Sequence, residues 1–249
     1  VIFLLGAFDD KLNLNPNLKL FLLTIIISLT LWFDSSLIIY SLNFSFLSSE
    51  LFLGKYSFIF SVLCFLLFIN ACNMFDGINL QSSSYFIILI LYLIIIGINN
   101  DLINIILFSL ILIFILNRNG KIFMGDSGVY LLAFIFSYIF IKIYNFDNKL
   151  TSDLIFILMM VPGIDMFRLF ILRILSKKNP FSPDRKHIHH LLLNKFSSLK
   201  TLVILNFLIL YPIILALVKF PKFIIILIFL FQYIALVFYL EKKTTKNDK

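Results

Sequence analysis

Residues 201–240 read TLVILNFLILYPIILALVKFPKFIIILIFLFQYIALVFYL, and this stretch decides the fold. Lys219 and Lys222 carry its only charges, and they fall together between two apolar runs. A helix needs roughly 20 mostly apolar residues to cross the hydrocarbon core of a bilayer. Each run approaches that length, so the stretch predicts two membrane-spanning helices joined by a short basic turn.

Similar apolar runs recur along the whole chain. It has 249 residues, of which 61% are hydrophobic, and 31 of them are Phe. A soluble domain of this length has no interior large enough for so many apolar side chains, so lipid is the expected solvent. We therefore predict an all-α, polytopic membrane helix bundle that forms one domain over residues 1–249. The predicted spans cover about residues 18–34, 57–71, 82–98, 101–117, 129–144, 150–166, 201–218 and 222–240.

The basic residues indicate how this bundle is oriented. The net charge is +8, and an alternating topology puts fifteen Lys and Arg residues in one set of loops against five in the other, with Arg168 set aside. The positive-inside rule makes the richer set cytoplasmic. The basic excess is thus a topology signal, and we expect a membrane partner and no nucleic acid.

Two local features bear on compartment and on the start of the chain. Cys64 and Cys72 form no CxxC pair, so we expect free thiols that have no structural role and bind no metal. The opening VIFLLGAF is too short to cross a bilayer before Asp9 and lacks the basic region of a signal peptide. We expect that further membrane spans precede it.

Four polar loops share the lysine-rich side of the predicted topology, each separated from the next by two spans. They read GAFDDKLNLNPNLK (6–19), NACNMFDGIN (70–79), NRNGKIFMGDSG (117–128) and SKKNPFSPDRKHIHH (176–190). Loops on the other side are polar but carry no comparable pattern. An enzyme that takes a water-soluble substrate from one side of the membrane needs this arrangement.

The first loop carries adjacent carboxylates, Asp9 and Asp10. Two anions at a membrane interface repel, so a cation or a shared proton would stabilise them. Such a pair can hold Mg²⁺ or accept a proton from a phosphate or hydroxyl. The alternative is an interfacial acidic cap before the turn that follows.

The second and third loops combine amides, acids and glycines. Asn70 and Asn73 share a helix face, and Asp76-Gly77 follows as a turn. Their amides suit a nucleobase or sugar hydroxyls, and an ordinary helix end is the alternative. In Gly125-Asp126-Ser127-Gly128, Asp126 is either a helix N-cap or a ligand to a metal that bridges phosphates.

The fourth loop contains all three histidines of the chain, His187, His189 and His190. With Asp184 they could form a zinc site, whereas with Arg185 and Lys186 they could bind a diphosphate. The row of basic groups favours the anion site, and a solvated basic loop is the third interpretation.

One further pair of charges lies near the end of the span that contains Pro162-Gly163. The spacing of Asp165 and Arg168 allows a helical ion pair. A structural pair and a substrate contact are equally compatible with it.

Taken together, these motifs resemble the polyprenyl-phosphate N-acetylhexosamine-1-phosphate transferases, which are glycosyltransferases of family 4 and relatives of the phospho-MurNAc-pentapeptide translocases. The matches occur in the family's order and cover nearly the whole chain. They are GAFDDKLNLNPNLKL, NACNMFDGIN, KIFMGDSG, PGID around Asp165, and FSPDRKHIHHLLL.

The resemblance implies an activity and a set of roles. A polyprenyl phosphate, such as undecaprenyl phosphate, would attack the sugar-proximal phosphate of a UDP-N-acetylhexosamine at a bacterial inner membrane and release UMP. The cofactor would be Mg²⁺, with Mn²⁺ as a substitute, held by Asp126 and Asp9. Asp9 would activate the lipid phosphate or ligate the metal, with Asp10 as its acidic partner. The nucleotide and sugar would contact Asn70, Asn73, Asp76, Gly77, Arg185, His187, His189 and His190.

The form HIHH, with PDR before it, resembles the branch that uses UDP-N-acetylglucosamine. The chain departs from the family where a second Asp-Gly often follows Asp76-Gly77, because Asn79-Leu80 stands there. A homodimer is compatible with the resemblance. The rival interpretations are a transporter, which would place ionisable groups at mid-membrane in related repeats, and an inactive truncated relative that only binds lipid.

Overall fold

The computed structural model describes residues 1–147, 149–180 and 185–247. Within these ranges the chain forms ten α-helices and one small antiparallel hairpin. The helices are α1 (Ile2–Leu12), α2 (Pro16–Phe33), α3 (Ser57–Phe75), α4 (Gln81–Ile95), α5 (Asp101–Arg118), α6 (Gly125–Phe146), α7 (Ser152–Leu175), α8 (Ile188–Leu193), α9 (Ser198–Leu217) and α10 (Lys222–Asn247). The hairpin pairs β1 (Ser41–Leu42) with β2 (Leu51–Phe52).

The all-α membrane bundle is confirmed, and every predicted span coincides with a helix. Seven of the described helices are long and apolar enough to cross a bilayer, and they are α2, α3 with the turn before it, α5, α6, α7, α9 and α10. The eighth, α4, is apolar but has only 15 residues. Gly97 ends it with a positive φ of 80°. The protein is therefore a multi-pass membrane protein.

Aromatic packing around α6 holds the bundle together. Phe136 of α6 stacks on Phe86 of α4 at 5.1 Å between ring centroids, and α3 packs against α6 and α7. The buried Tyr85 hydroxyl donates to the Leu158 carbonyl at 3.0 Å and so joins α4 to α7. Lipid provides no hydrophobic drive between helices, so close packing and such hydrogen bonds must hold them.

Polar groups at the end of the bundle opposite the lysine-rich loops pair with one another. The Lys142 ammonium lies 3.1 Å from the Asp34 carboxylate. The buried Asp153 accepts the Ser45 backbone N–H at 3.1 Å, and Lys222 lies 3.9 Å away. These residues tie the hairpin segment to α6, α7 and α10, as expected of loops without a catalytic pattern.

The lysine-rich end gathers the termini that carry the sequence motifs. The helices α1, α3 and α5 end there, and α2, α4, α6 and α9 begin there. The short α8 packs beside α9 and α10, and α1 packs along α6. The two cysteines are free, as predicted.

Candidate active site

The first and third loops meet because α1 and α6 approach at glycines. A Cβ on Gly6 would lie 2.4 Å from the Ser127 Cα, a distance that no side chain tolerates. Gly125 has a φ of 63°, and a Cβ there would lie 2.9 Å from an oxygen of Asp10. Both positions therefore need glycine, and the last turn of α1 lies against the first turn of α6.

Asp10 closes the N-terminus of α6 from outside that helix. Its carboxylate oxygens accept the backbone N–H groups of Asp126 at 2.8 Å and of Ser127 at 3.2 Å. An acid at a helix N-terminus satisfies orphan donors and complements the helix dipole. Asp10 thus positions Asp126, a capping role that its place in an acidic pair did not indicate.

Asp9 is buried and surrounded by donors. It accepts the Leu14 N–H at 3.0 Å and the Tyr130 hydroxyl at 3.3 Å, and it forms an ion pair with Lys19. Burial acts to raise the pKa of Asp9, but the hydrogen bonds that it shares with Asp126 and Lys19 hold that pKa below its ordinary value. Asp9 is consequently an ionised group and a weak base.

Asp126 and Asp9 together form an acidic centre, and Asp126 is its more exposed member. One oxygen accepts the Asn73 side-chain amide at 2.7 Å, and the other lies 3.9 Å from the Lys19 ammonium. The Asp126 side chain is 33% exposed, whereas that of Asp9 is 1% exposed. Lys19 therefore lies between the two acids, and of these two only the Asp126 side chain is accessible from outside.

The carboxylates of Asp126 and Asp9 are donors of the kind that Mg²⁺ takes. Magnesium is commonly held by one or two carboxylates, with substrate phosphates and water completing its shell. Asp126 and Asp9 already share one cation, the Lys19 ammonium. Among the described residues, no three His, Cys, Asp or Glu side chains form a metal-binding group, so the zinc interpretation finds no support there. Asp184, which it also required, lies outside the described residues.

The second loop borders a polar cavity of about 290 Å³ beside the acidic centre. Asp76 lies in its wall at the end of α3. Burial, helped by the negative charge of Asp10, raises the pKa of Asp76. The cavity is lined by residues 76–80, Ser82, Ser83, Ile113, Asn117 and residues 123–126.

The two asparagines of the second loop have different partners. Asn73 reaches Asp126, whereas the Asn70 amide donates to the Leu66 carbonyl of its own helix at 2.7 Å. Asn73 therefore belongs to the acidic centre. The structure does not bring Asn70 to it.

The buried Asn117 joins the two walls of the cavity. Its side-chain oxygen accepts the Leu80 N–H at 2.7 Å, and its amide donates to the Ile122 carbonyl at 2.8 Å. Leu80 has a φ of 72°, in the left-handed region that a leucine rarely adopts. The Asn117 side chain thus holds the 76–80 turn and the loop before α6 at a set separation.

The fourth loop is organised by Asp165 of α7. One of its oxygens pairs with Nδ1 of His187 at 2.8 Å. The other accepts the Ile188 N–H at 3.1 Å and a guanidinium N–H of Arg168 at 2.9 Å. The Tyr233 hydroxyl of α10 also donates to that oxygen, at 2.7 Å. Asp165 and Arg168 are therefore a structural pair that positions the histidines.

Gly77 brings the second and fourth loops into contact. A Cβ on Gly77 would lie 1.9 Å from Nε2 of His189, so the imidazole occupies the space that any other residue would fill. Burial, together with the charges of His190 and His187, lowers the pKa of His189 to about 3. His189 is thus a neutral imidazole at the edge of the site.

The other two imidazoles lie beside His189. The rings of His187 and His189 are nearly parallel at 5.5 Å, and the His190 ring lies 4.2 Å from that of His189. Arg185 is exposed at the start of this segment. The predicted histidine cluster is therefore one structural unit.

Four residues of this site were not identified from the sequence. Lys19 was counted only as a topology charge, and Asn117 only as part of a loop. Tyr130 follows Asp126 by four residues, so helical spacing could have placed it on the same face. Tyr233 lies in an apolar helix, where nothing in the sequence distinguishes it.

The sequence matches known proteins in the same regions. The profile of glycosyl transferase family 4 matches residues 1–144. The chain is similar to the undecaprenyl-phosphate alpha-N-acetylglucosaminyl 1-phosphate transferase of Thermotoga maritima, with 30% identity over 207 residues, covering 82% of this chain and 62% of the relative.

Relatives of the same name occur in enterobacteria. The protein from Escherichia coli O157:H7 is 27% identical over 219 residues, covering 83% of this chain and 59% of the relative. The protein from Yersinia pestis is 26% identical over 224 residues, covering 81% and 58%. The chain thus spans about three-fifths of the length of the curated relatives it matches.

Proposed function

The chain belongs to glycosyl transferase family 4, and we propose that it transfers an N-acetylhexosamine 1-phosphate, GlcNAc 1-phosphate in the first instance, from a UDP-sugar to undecaprenyl phosphate. An oxygen of the lipid phosphate attacks the sugar-proximal phosphorus of the donor. The bridging P–O bond breaks, and UMP leaves with that oxygen. The product is a lipid-linked diphosphate sugar, the first intermediate of a cell-surface glycan.

One observation carries this proposal: motifs from four distant loops converge at one end of the bundle. Asp10 holds the backbone of Asp126, and Asn73 holds its side chain. Gly77 then joins this centre to the histidine segment through His189. Two anionic reactants need such a concentration of cationic and donor groups in order to approach each other.

Different residues of the site would bind the metal, the nucleotide and the diphosphate. Bound Mg²⁺ would neutralise the phosphates at Asp126, with Asp9 and Lys19 beside it. The cavity at Asp76 would take the nucleotide, since its wall offers amide, hydroxyl and backbone groups.

The histidine segment would hold the diphosphate and the sugar. His187, His189 and His190, together with the exposed Arg185, would supply the donors, and His189 lies against Gly77 in the wall of the nucleotide cavity. A neutral His189 imidazole can donate one hydrogen bond without adding charge.

The pKa of Asp9 bears on its role. A phosphate monoester has a second pKa near 6, so the lipid phosphate is largely dianionic at neutral pH and needs no base. Asp9 has a lowered pKa and an ammonium partner. We therefore propose that Asp9 orients Lys19 and the metal and does not act as the proton acceptor.

The reaction would take place at the cytoplasmic face of a bacterial inner membrane. The lysine-rich end, which carries the site, is cytoplasmic by the positive-inside rule. The prenyl tail can then remain in the bilayer while its phosphate reaches Asp126 at the interface.

Release of UMP tests the function. The purified protein in detergent, given undecaprenyl phosphate, Mg²⁺ and a panel of UDP-sugars, should release UMP with UDP-GlcNAc. Asp126→Asn should lower the rate on the order of a hundredfold or more, because the open carboxylate of the centre is lost.

Asp101→Asn is the matched control. Asp101 is exposed at the start of α5, at the opposite end of the bundle, so this variant should retain the full rate. No UMP from any UDP-sugar, or equal rates in both variants, would contradict the assignment.

A further inference from the structure

The last helix supplies a buried group to the site. The Tyr233 side chain of α10 is 1% exposed, and its hydroxyl donates to Oδ1 of Asp165 at 2.7 Å. α10 begins at the opposite end of the bundle, where Lys222 lies near Asp153 of α7. It lies beyond residues 1–144, which match the family profile.

Asp165 is a buried carboxylate, and such a group persists only when several donors solvate it. Among the residues that the structure describes, only His187 pairs with Oδ2. Oδ1 is shared by the Ile188 N–H, Arg168 and Tyr233. Loss of the Tyr233 hydroxyl would leave Oδ1 with fewer donors and free the carboxylate to turn about its side-chain bond.

The imidazoles depend on the direction of that carboxylate. Asp165 holds the His187 ring and the first backbone N–H of α8, which together set where α8 begins. His189 follows on that first turn and fills the space above Gly77. The path from Tyr233 to the second loop therefore runs through Asp165 and the start of α8.

Two other contacts brace the same region from α10. The Lys195 ammonium, just after α8, donates to the Tyr239 carbonyl at 2.9 Å. Arg168 lies 3.6 Å from Glu241, and it also donates to the Lys186 carbonyl at 2.6 Å. α10 therefore contacts Lys195 directly and is linked to Lys186 through Arg168 of α7.

We propose that Tyr233 is a positioning residue and that α10 holds the imidazole segment, residues 187–190, against the donor-binding loops through Asp165. The expected effect on turnover rests on the proposed function. The expected effect on the order of residues 187–190 does not depend on it.

Tyr233→Phe tests this with little disturbance, because it removes only one hydroxyl. Tyr211→Phe is the matched control, since the Tyr211 hydroxyl bonds Gln232 of α10 at 2.5 Å, away from Asp165. Amide hydrogen exchange is measured in detergent without substrate. Exchange over residues 187–194 should rise roughly tenfold in Tyr233→Phe and stay unchanged in Tyr211→Phe, as expected for one lost bond to a charged group.

Steady-state kinetics of UMP release provide the second readout. In Tyr233→Phe the KM for UDP-GlcNAc should rise roughly tenfold, while the KM for undecaprenyl phosphate stays within about twofold. Unchanged exchange at 187–194, a rise spread over all helices, or equal changes in both KM values would overturn the proposal. If the wild-type protein releases no UMP, the proposed function fails while the exchange experiment still decides the positioning role.

Discussion

At Gly77, a hydrogen atom is the only substituent that fits between the turn after α3 and the His189 imidazole. The contact shows how one residue couples two loops that lie more than 100 positions apart. Sequence patterns identified both partners as site residues, but only as members of separate motifs. Lys19, which lies between Asp9 and Asp126, was visible only as a charge.

Gly77→Ala should lower kcat/KM on the order of a hundredfold. The new methyl group displaces the His189 ring, and a shift of about 1 Å in a binding group is enough for a loss of that size. UMP release under the conditions described above measures it.

Gly163→Ala serves as the control for that substitution. Gly163 lies inside α7, and no atom lies within 4 Å of its added Cβ, so this variant should keep its activity. Retained activity in Gly77→Ala would show that the His189 ring moves aside without consequence.

The helix ends at the lysine-rich side are joined by side chains that bond the backbone of another segment. Asp10 of α1 caps α6, and Asn117 of α5 holds the turn before α4 to the loop before α6. The predicted helices and loops are confirmed at this scale. Their mutual attachment is not readable from spacing, because Asn117 and Asp10 each bond residues distant in the chain.

Asn117→Ala should weaken UMP binding roughly tenfold. It deletes two buried hydrogen bonds and frees the strained Leu80 turn, so the two walls of the cavity lose their fixed separation. Equilibrium binding of UMP to the purified protein measures the change.

Asn119→Ala is the paired control. Asn119 is exposed two residues further on, where it ends α5. Its substitution should leave UMP affinity unchanged. Equal affinities in both variants would exclude Asn117 as the residue that fixes the cavity.

In the whole molecule, the candidate active site and the structural ion pairs lie at opposite ends of the helix bundle. The acids at the opposite end, Asp34 and Asp153, are engaged by Lys142 and Lys222 and by neighbouring backbone groups. At the lysine-rich end, by contrast, Asp76 and Asp126 line an open cavity. This division follows the charge asymmetry of the loops.

Cysteine labelling in bacterial spheroplasts tests this orientation. A membrane-impermeant maleimide added outside should react with Glu50→Cys, because Glu50 is exposed beside the hairpin. Asn119→Cys should react only after the cells are opened, because the positive-inside rule predicts a cytoplasmic position for the lysine-rich end, where Asn119 lies. The protein with only Cys64 and Cys72 gives the background, and labelling of Asn119→Cys from outside would reverse the topology.

Composition and pattern alone were enough to predict the membrane bundle, the end of the bundle at which each polar loop lies and the acids, amides and imidazoles proposed for the site. These properties are local, because the length of an apolar run and the sign of a loop's charge act without reference to the rest of the fold. Only the tertiary structure decided that Asp10 caps α6, that Lys19 bridges two acids and that Tyr233 holds Asp165. Each of these contacts joins groups from different helices, and their distance depends on how the helices pack, which no single segment encodes.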